Sequence, residues 1–155
     1  MIQRIQTIYL ALGILACLVC LCLPIAELQG GVLSVPAYMY NGCVVGAQGD
    51  GISVSTSTMI PLFGTLVVAA ALACFAIFTY RRRSLQMKLC VYAVLLIVIW
   101  ISTLAFIALL KIRAGITFRP LLASVLPLLA VCLFLLARRS IAKDERLVRS
   151  ADRIR

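Results

Sequence analysis

The sequence contains no histidine, and its acidic residues are scarce: 5 Asp and Glu stand against 15 Lys and Arg in 155 residues. The lack of histidine removes the commonest metal ligand and general base. Only 13% of the residues are charged and 64% are hydrophobic, whereas soluble domains average about 45–50% apolar residues. This composition argues against an ordinary water-soluble fold and favours a membrane protein.

Charged residues are missing from four long stretches, which predict four membrane-spanning helices. A helix needs about 20 mostly apolar residues to cross the hydrocarbon core. We place the spans at about residues 5–23, 59–80, 89–112 and 120–137, and we expect Pro127 to kink the fourth. Their interiors carry no Asp, Glu, Lys or Arg, which argues against a proton relay or an ion pathway.

The basic residues predict an orientation for these spans. Four spans place both termini on the same side, and 12 of the 15 Lys and Arg residues lie on that side. The positive-inside rule assigns it to the cytoplasm. The long loop 24–58 contains no Lys or Arg and is expected to face outward.

The outer loop carries the signature of a β-hairpin. Asn41-Gly42 can supply the positive φ angles that a type I′ turn requires. The turn would pair Tyr40 with Cys43 and Tyr38 with Val45. Together with alternating residues further on, it predicts a three-stranded antiparallel meander over about residues 32–58. The alternative is a flexible glycine-rich loop.

The tail, residues 138–155, lacks Gly and Pro and separates apolar from basic positions at helical spacing. It predicts a cytoplasmic amphipathic helix that lies on anionic lipid headgroups. Docking on another protein and a solvated tail are the alternatives. The candidate contacts for lipid headgroups or for a partner are Arg81, Arg82, Arg83, Lys88, Arg138, Arg139, Lys143, Arg146, Arg149 and Arg153.

The start of the first helix and the tail are also candidates for contact with each other. We expect Gln3, Arg4 and Gln6 to dock on the acidic residues Asp144, Glu145 and Asp152 of the tail. In the alternative interpretation the two segments anchor independently at the membrane interface.

Cys17 and Cys20 form a C-x-x-C pair that allows two interpretations. Four-helix membrane oxidoreductases that pass electrons from thiols to quinone use such a pair. Alternatively, small residues let membrane helices approach closely, and free cysteine behaves as a small hydrophobe. The expected packing faces are Gly13, Cys17 and Cys20 on the first helix, and Ala69, Ala73 and Ala76 on the second.

Both ends of the chain resemble a known family. MIQRIQTIYL at residues 1–10 and KDERLVRSADRIR at residues 143–155 resemble the opening and closing motifs of DUF4293, small bacterial integral membrane proteins of unknown function from the Bacteroidota. The resemblance implies an inner-membrane protein without an established activity. The predicted architecture is also similar to that of claudins, although the W…GLW…C…C pattern of claudin loops is absent.

The sequence therefore predicts an all-α membrane protein with one domain, residues 1–155. It is a four-transmembrane-helix bundle with a small outer β-meander and a cytoplasmic C-terminal amphipathic helix. We expect a non-enzymatic accessory or scaffolding component of a membrane assembly, without catalytic residues, metal or cofactor. Its expected partners are anionic lipid headgroups and other membrane proteins, not nucleic acid or an identifiable small-molecule substrate. A small oligomeric carrier or channel and a thiol–quinone oxidoreductase remain the alternatives.

Overall fold

Four long helices dominate the structure, a computed structural model that describes residues 3–30, 33–48, 51–55, 60–79 and 82–152. They are α1 (Gln3–Cys22), α2 (Ile60–Phe78), α3 (Arg83–Arg113) and α4 (Leu126–Asp152). Each packs on two neighbours: α1 on α4 and α2, and α3 on α2 and α4. All four contain stretches long and apolar enough to cross a membrane, which confirms the prediction of four long apolar helices.

A five-stranded antiparallel sheet lies at one end of this bundle. Its strands are β1 (Ala26–Gly30), β2 (Leu33–Met39), β3 (Val44–Gln48), β4 (Gly51–Ser55) and β5 (Thr117–Pro120), in the order β4-β3-β2-β1-β5. We call this the sheet end of the bundle. The opposite end, where α1 begins and α4 ends, is the terminal end.

The predicted three-stranded antiparallel meander over about residues 32–58 is confirmed as β2, β3 and β4. The sheet has two further strands that the sequence did not predict: β1 precedes the meander, and β5 comes from the connection between α3 and α4. The predicted cross-strand pairs are confirmed: Tyr38 pairs with Val45, and the Tyr40 N–H donates to the Cys43 carbonyl over 2.7 Å.

The predicted type I′ turn at Asn41-Gly42 is wrong. Among the described residues only Gly30 and Gly115 have a positive φ, whereas a type I′ turn needs positive φ at both central positions. The side chain of Asn41 is fully buried against the helices. The contacts of Asn41 with the helices therefore determine the conformation of this turn, and the intrinsic preference of Asn-Gly for a type I′ turn does not.

The fourth apolar stretch begins at Leu122, two residues after the predicted start, because Pro120 ends strand β5. A 3₁₀ turn, Leu122–Val125, leads into α4 at Leu126. Pro127 therefore lies in the first turn of α4, where the missing N–H costs no hydrogen bond, and the predicted mid-span kink is absent.

The tail is a continuation of α4, which runs without interruption to Asp152. As far as Asp152, the tail is therefore helical and forms one element with the fourth apolar stretch. Its position on lipid headgroups stays a prediction.

Helix α3 extends well beyond its neighbours at the sheet end. Only four residues separate α2 from α3, and the two helices pack on each other, so they run antiparallel. Counted from this connection, the 19 residues of α2 match the length of the first 19 residues of α3, residues 83–101. The remaining 12 residues, Ser102 to Arg113, continue for about 18 Å at 1.5 Å per residue. This segment, which we call the α3 overhang, contacts β5 of the sheet.

Candidate functional site

The most distinctive polar group is the side chain of Asn41, in the turn between β2 and β3. It is fully buried and makes contacts with two helices. Its Nδ2 donates to the backbone carbonyl of Cys20 in α1 over 2.7 Å, and its Oδ1 accepts from Trp100 Nε1 in α3 over 2.9 Å. One side chain therefore joins the sheet, α1 and α3. We call this contact the Asn41 joint.

The sequence around Cys20 explains why the joint forms there. In a helix, the carbonyl of residue 20 would accept from the N–H of residue 24, but residue 24 is a proline and has no N–H. A buried carbonyl without a partner is costly. The Asn41 amide supplies the missing donor and thereby caps the end of α1.

Trp100 has the complementary need, because a buried indole N–H usually finds an acceptor. Its side chain is fully buried, and Asn41 provides the acceptor. The joint is not evident from the sequence. The available signals were the single Trp in the middle of a span and the Pro four residues after Cys20. Neither signal indicates which loop residue completes the contact.

A second buried polar contact lies at the terminal end. Gln6 of α1 donates from Nε2 to Oδ2 of Asp144 in α4, and both side chains are buried. These are two of the residues expected to dock the tail on the first helix. The side chains of Gln3, Arg4, Glu145 and Asp152 lie outside the described part of the structure. Docking through them stays a prediction.

The predicted basic contacts lie at the terminal ends of α3 and α4. Arg82 precedes α3, Lys88 lies on its second turn, and Arg138, Arg139 and Lys143 lie on α4; all five are exposed. Arg81 and Arg153 lie outside the described residues. The side chains of Arg83, Arg146 and Arg149 are likewise outside the described part.

The C-x-x-C cysteines are inside the bundle. Cys17 and Cys20 are fully buried free thiols, and Cys43 in the turn between β2 and β3 is half-buried. In the described part of the chain, no group of three or more Cys, Asp or Glu side chains could hold a metal ion.

The small residues of the predicted packing faces are buried. Cys17, Cys20, Ala69, Ala73 and Ala76 have no exposed surface. At Gly13, the atoms nearest to an added Cβ belong to the ring of Phe134 in α4: Cδ1 would lie 2.9 Å away and Cε1 nearer still. Gly13 therefore accommodates an aromatic ring of α4.

One protein family matches almost the whole chain. The family described as Domain of unknown function (DUF4293) matches residues 2–154, so the chain belongs to this family. A comparison with curated proteins gives no match.

Proposed function

We propose that this member of the DUF4293 family is a non-enzymatic accessory or scaffolding subunit of a membrane protein assembly. It would span a bacterial inner membrane four times, with the terminal end in the cytoplasm and the sheet outside. The observation that carries the proposal is the Asn41 joint, because it fixes the sheet to the helices that would anchor the protein.

The outward faces of the helices support the membrane part of the proposal. Large apolar side chains such as Ile8, Phe75 and Leu95 are more than half exposed. A soluble monomer rarely exposes apolar surface so continuously, whereas lipid covers it without cost. The exposed cations at the start of α3 and along α4 favour a cytoplasmic terminal end.

The α3 overhang is the surface that we assign to a protein partner. It exposes Phe106, Leu109, Leu110 and Ile112 by 50–61%. The neighbouring strands carry polar residues, with Glu27 opposite Arg119 and Gln29 opposite Thr117. Such strands belong in water, so the overhang beside them would project beyond the lipid. An apolar patch in that position typically marks an interaction site.

A fixed sheet would help such a contact energetically. Association loses free energy when loops and side chains must be ordered on binding. The Asn41 joint holds the β2–β3 turn against both α1 and α3 before any partner arrives. The turn is then already ordered in the free protein, so association with a partner loses less free energy to ordering. A smaller contact area is therefore enough for a stable complex.

Site-specific photo-crosslinking in native membranes tests this proposal. A photoreactive residue is introduced at Phe106 or Leu109 of the overhang. The matched controls are Leu95 and Ile99, which are also at least half exposed and lie on the same helix within its first 19 residues. We expect a protein adduct of one size from positions 106 and 109, and adducts with lipid alone from positions 95 and 99.

Three outcomes decide between the functions. In the first outcome, the photoreactive residue at position 109 gives a protein adduct, and the additional substitution Phe106→Ser abolishes it. This outcome supports the accessory role. Adducts that contain only a second copy of the chain support the oligomeric carrier or channel instead. The absence of protein adducts at every position contradicts the assignment of the overhang as a partner surface.

A further inference from the structure

The exposed cations of α4 extend from the terminal end of the bundle toward its middle: Lys143 lies beside Asp144, and Arg139 lies one turn further in. The Gln6–Asp144 contact marks that end, where α1 begins. Arg139 precedes Asp144 by five residues, about 7–8 Å along the helix axis. When the bundle is inserted in a membrane with Asp144 at the headgroup level, a cation about 7–8 Å further in lies at the boundary between the headgroups and the hydrocarbon.

The α1 and α2 sides of the bundle differ at the same end. Near this end, α1 and α2 expose large apolar side chains, with Ile5 exposed by 48% and Phe78 by 73%. Among the described side chains near this end, the exposed cations belong to α3, α4 and the residue before α3. Of the side chains that the structure describes, the positive charge therefore lies on the α3 and α4 side.

Cys132, Leu136, Arg139 and Lys143 form a single exposed stripe on α4. Their spacing of four, three and four residues keeps them on one helix face. The stripe is apolar toward the sheet end and doubly cationic toward the terminal end. This order matches a phospholipid, which has an acyl chain on one side of its phosphate.

We propose that this stripe binds an anionic phospholipid of the cytoplasmic leaflet. Arg139 and Lys143 contact the phosphate and the anionic headgroup, and the acyl chain lies along Leu136 and Cys132. Both cations can donate to phosphate oxygens while their aliphatic stems stay on apolar surface. A free phosphate ion would contact the cations and leave the apolar part of the stripe unused.

The proposal rests on the membrane insertion contained in the proposed function, and its test separates the two. The full chain is reconstituted in phosphatidylcholine vesicles that contain a minor fraction of phosphatidylglycerol. Native mass spectrometry after mild solubilisation then counts the retained lipids of each kind. Resistance to alkaline extraction is measured on the same vesicles and reports insertion alone.

The test variant is Arg139→Gln/Lys143→Gln, which removes two positive charges from the stripe on α4. The matched control is Lys111→Gln/Arg113→Gln, which removes two positive charges from α3 at the sheet end of the bundle. With about 1 kcal/mol per cation near the membrane surface, we expect the test variant to retain roughly thirty-fold less phosphatidylglycerol. The control and the charge-conserving variant Arg139→Lys/Lys143→Arg should retain it as the wild type does.

Equal losses in the test variant and the control would overturn the proposal, because the preference would then be a net-charge effect. Displacement of the lipid by millimolar inorganic phosphate would also overturn it, in favour of a free-anion site. A chain that alkali extracts completely contradicts membrane insertion, and with it the proposed function. A chain that resists alkali but shows no lipid preference contradicts the lipid site alone.

Discussion

At the scale of single residues, Asn41 joins three elements of the molecule, the β2–β3 turn, α1 and α3. The Cys20 carbonyl lacks its helical donor because of Pro24, and the Trp100 indole is fully buried. Each group would be costly to bury without a hydrogen bond. The Asn41 amide, with one donor side and one acceptor side, satisfies both.

We therefore predict that Asn41→Ala destabilises the protein substantially. It leaves two buried groups without partners, at about 1–3 kcal/mol each. Reversible unfolding in mild detergent, followed by circular dichroism, should show a loss of roughly 2–6 kcal/mol in the free energy of unfolding. The control is Gly42→Ala in the same turn, where an added Cβ meets only Phe63 at an ordinary 3.7 Å.

The comparison with Trp100→Phe refines this prediction, since that variant removes only one of the two bonds. In the double variant the two effects should not add, because they share the Asn41–Trp100 bond. A loss below 0.5 kcal/mol for Asn41→Ala would be no larger than a typical surface substitution. That result would contradict the joint.

At the scale of elements, the fit between α1 and α4 depends on Gly13. The ring of Phe134 is fully buried and occupies the space where a larger residue at position 13 would place its Cβ. Small residues at membrane helix interfaces permit this close approach. The fully buried Leu10 on the preceding turn belongs to the same core.

Gly13→Ala should consequently lower the free energy of unfolding by about 1–3 kcal/mol, the usual cost of overpacking. Gly64→Ala in α2 is the matched control, because nothing lies within 4 Å of its added Cβ. That control should stabilise α2 slightly, since alanine is the better helix former. Similar effects of the two variants would show that Gly13 does not govern the packing of α1 on α4.

The elements differ in how far the sequence predicts them. The helices follow from the gaps between charges, because a lipid-facing segment cannot carry charge over its length. The hairpin follows from the turn residues Asn41 and Gly42 and the alternation that flanks them. Strand β5 has only four residues and pairs with β1, which lies almost 90 residues earlier. Local pattern contains no information about that pairing.

The candidate sites illustrate the same limit. The exposure of Arg139 and Lys143 follows from their positions on an amphipathic stretch. The Asn41 joint spans 59 residues to Trp100 and depends on how α1, α3 and the turn meet. The α3 overhang becomes apparent only when α2 and α3 are aligned along their lengths. The Asn41 joint and the α3 overhang therefore depend on the tertiary structure and cannot be read from local sequence.

At the scale of the whole molecule, the two ends of the bundle have different chemistry. The terminal end combines a buried Gln6–Asp144 contact with exposed cations on α4. The sheet end combines a fixed sheet with the apolar α3 overhang. In our proposal these ends lie on opposite sides of a membrane, one contacting anionic lipid and the other a protein partner.

The labelling of engineered cysteines tests this claim most directly. The exposed residues Thr117 at the sheet end and Ser84 at the terminal end are each replaced by Cys. The background lacks the four cysteines that are not buried, Cys22, Cys43, Cys74 and Cys132. We predict that a membrane-impermeant maleimide labels position 117 in intact bacterial cells, and position 84 only after permeabilisation. Labelling of both positions in intact cells, or of position 84 alone, would contradict the account.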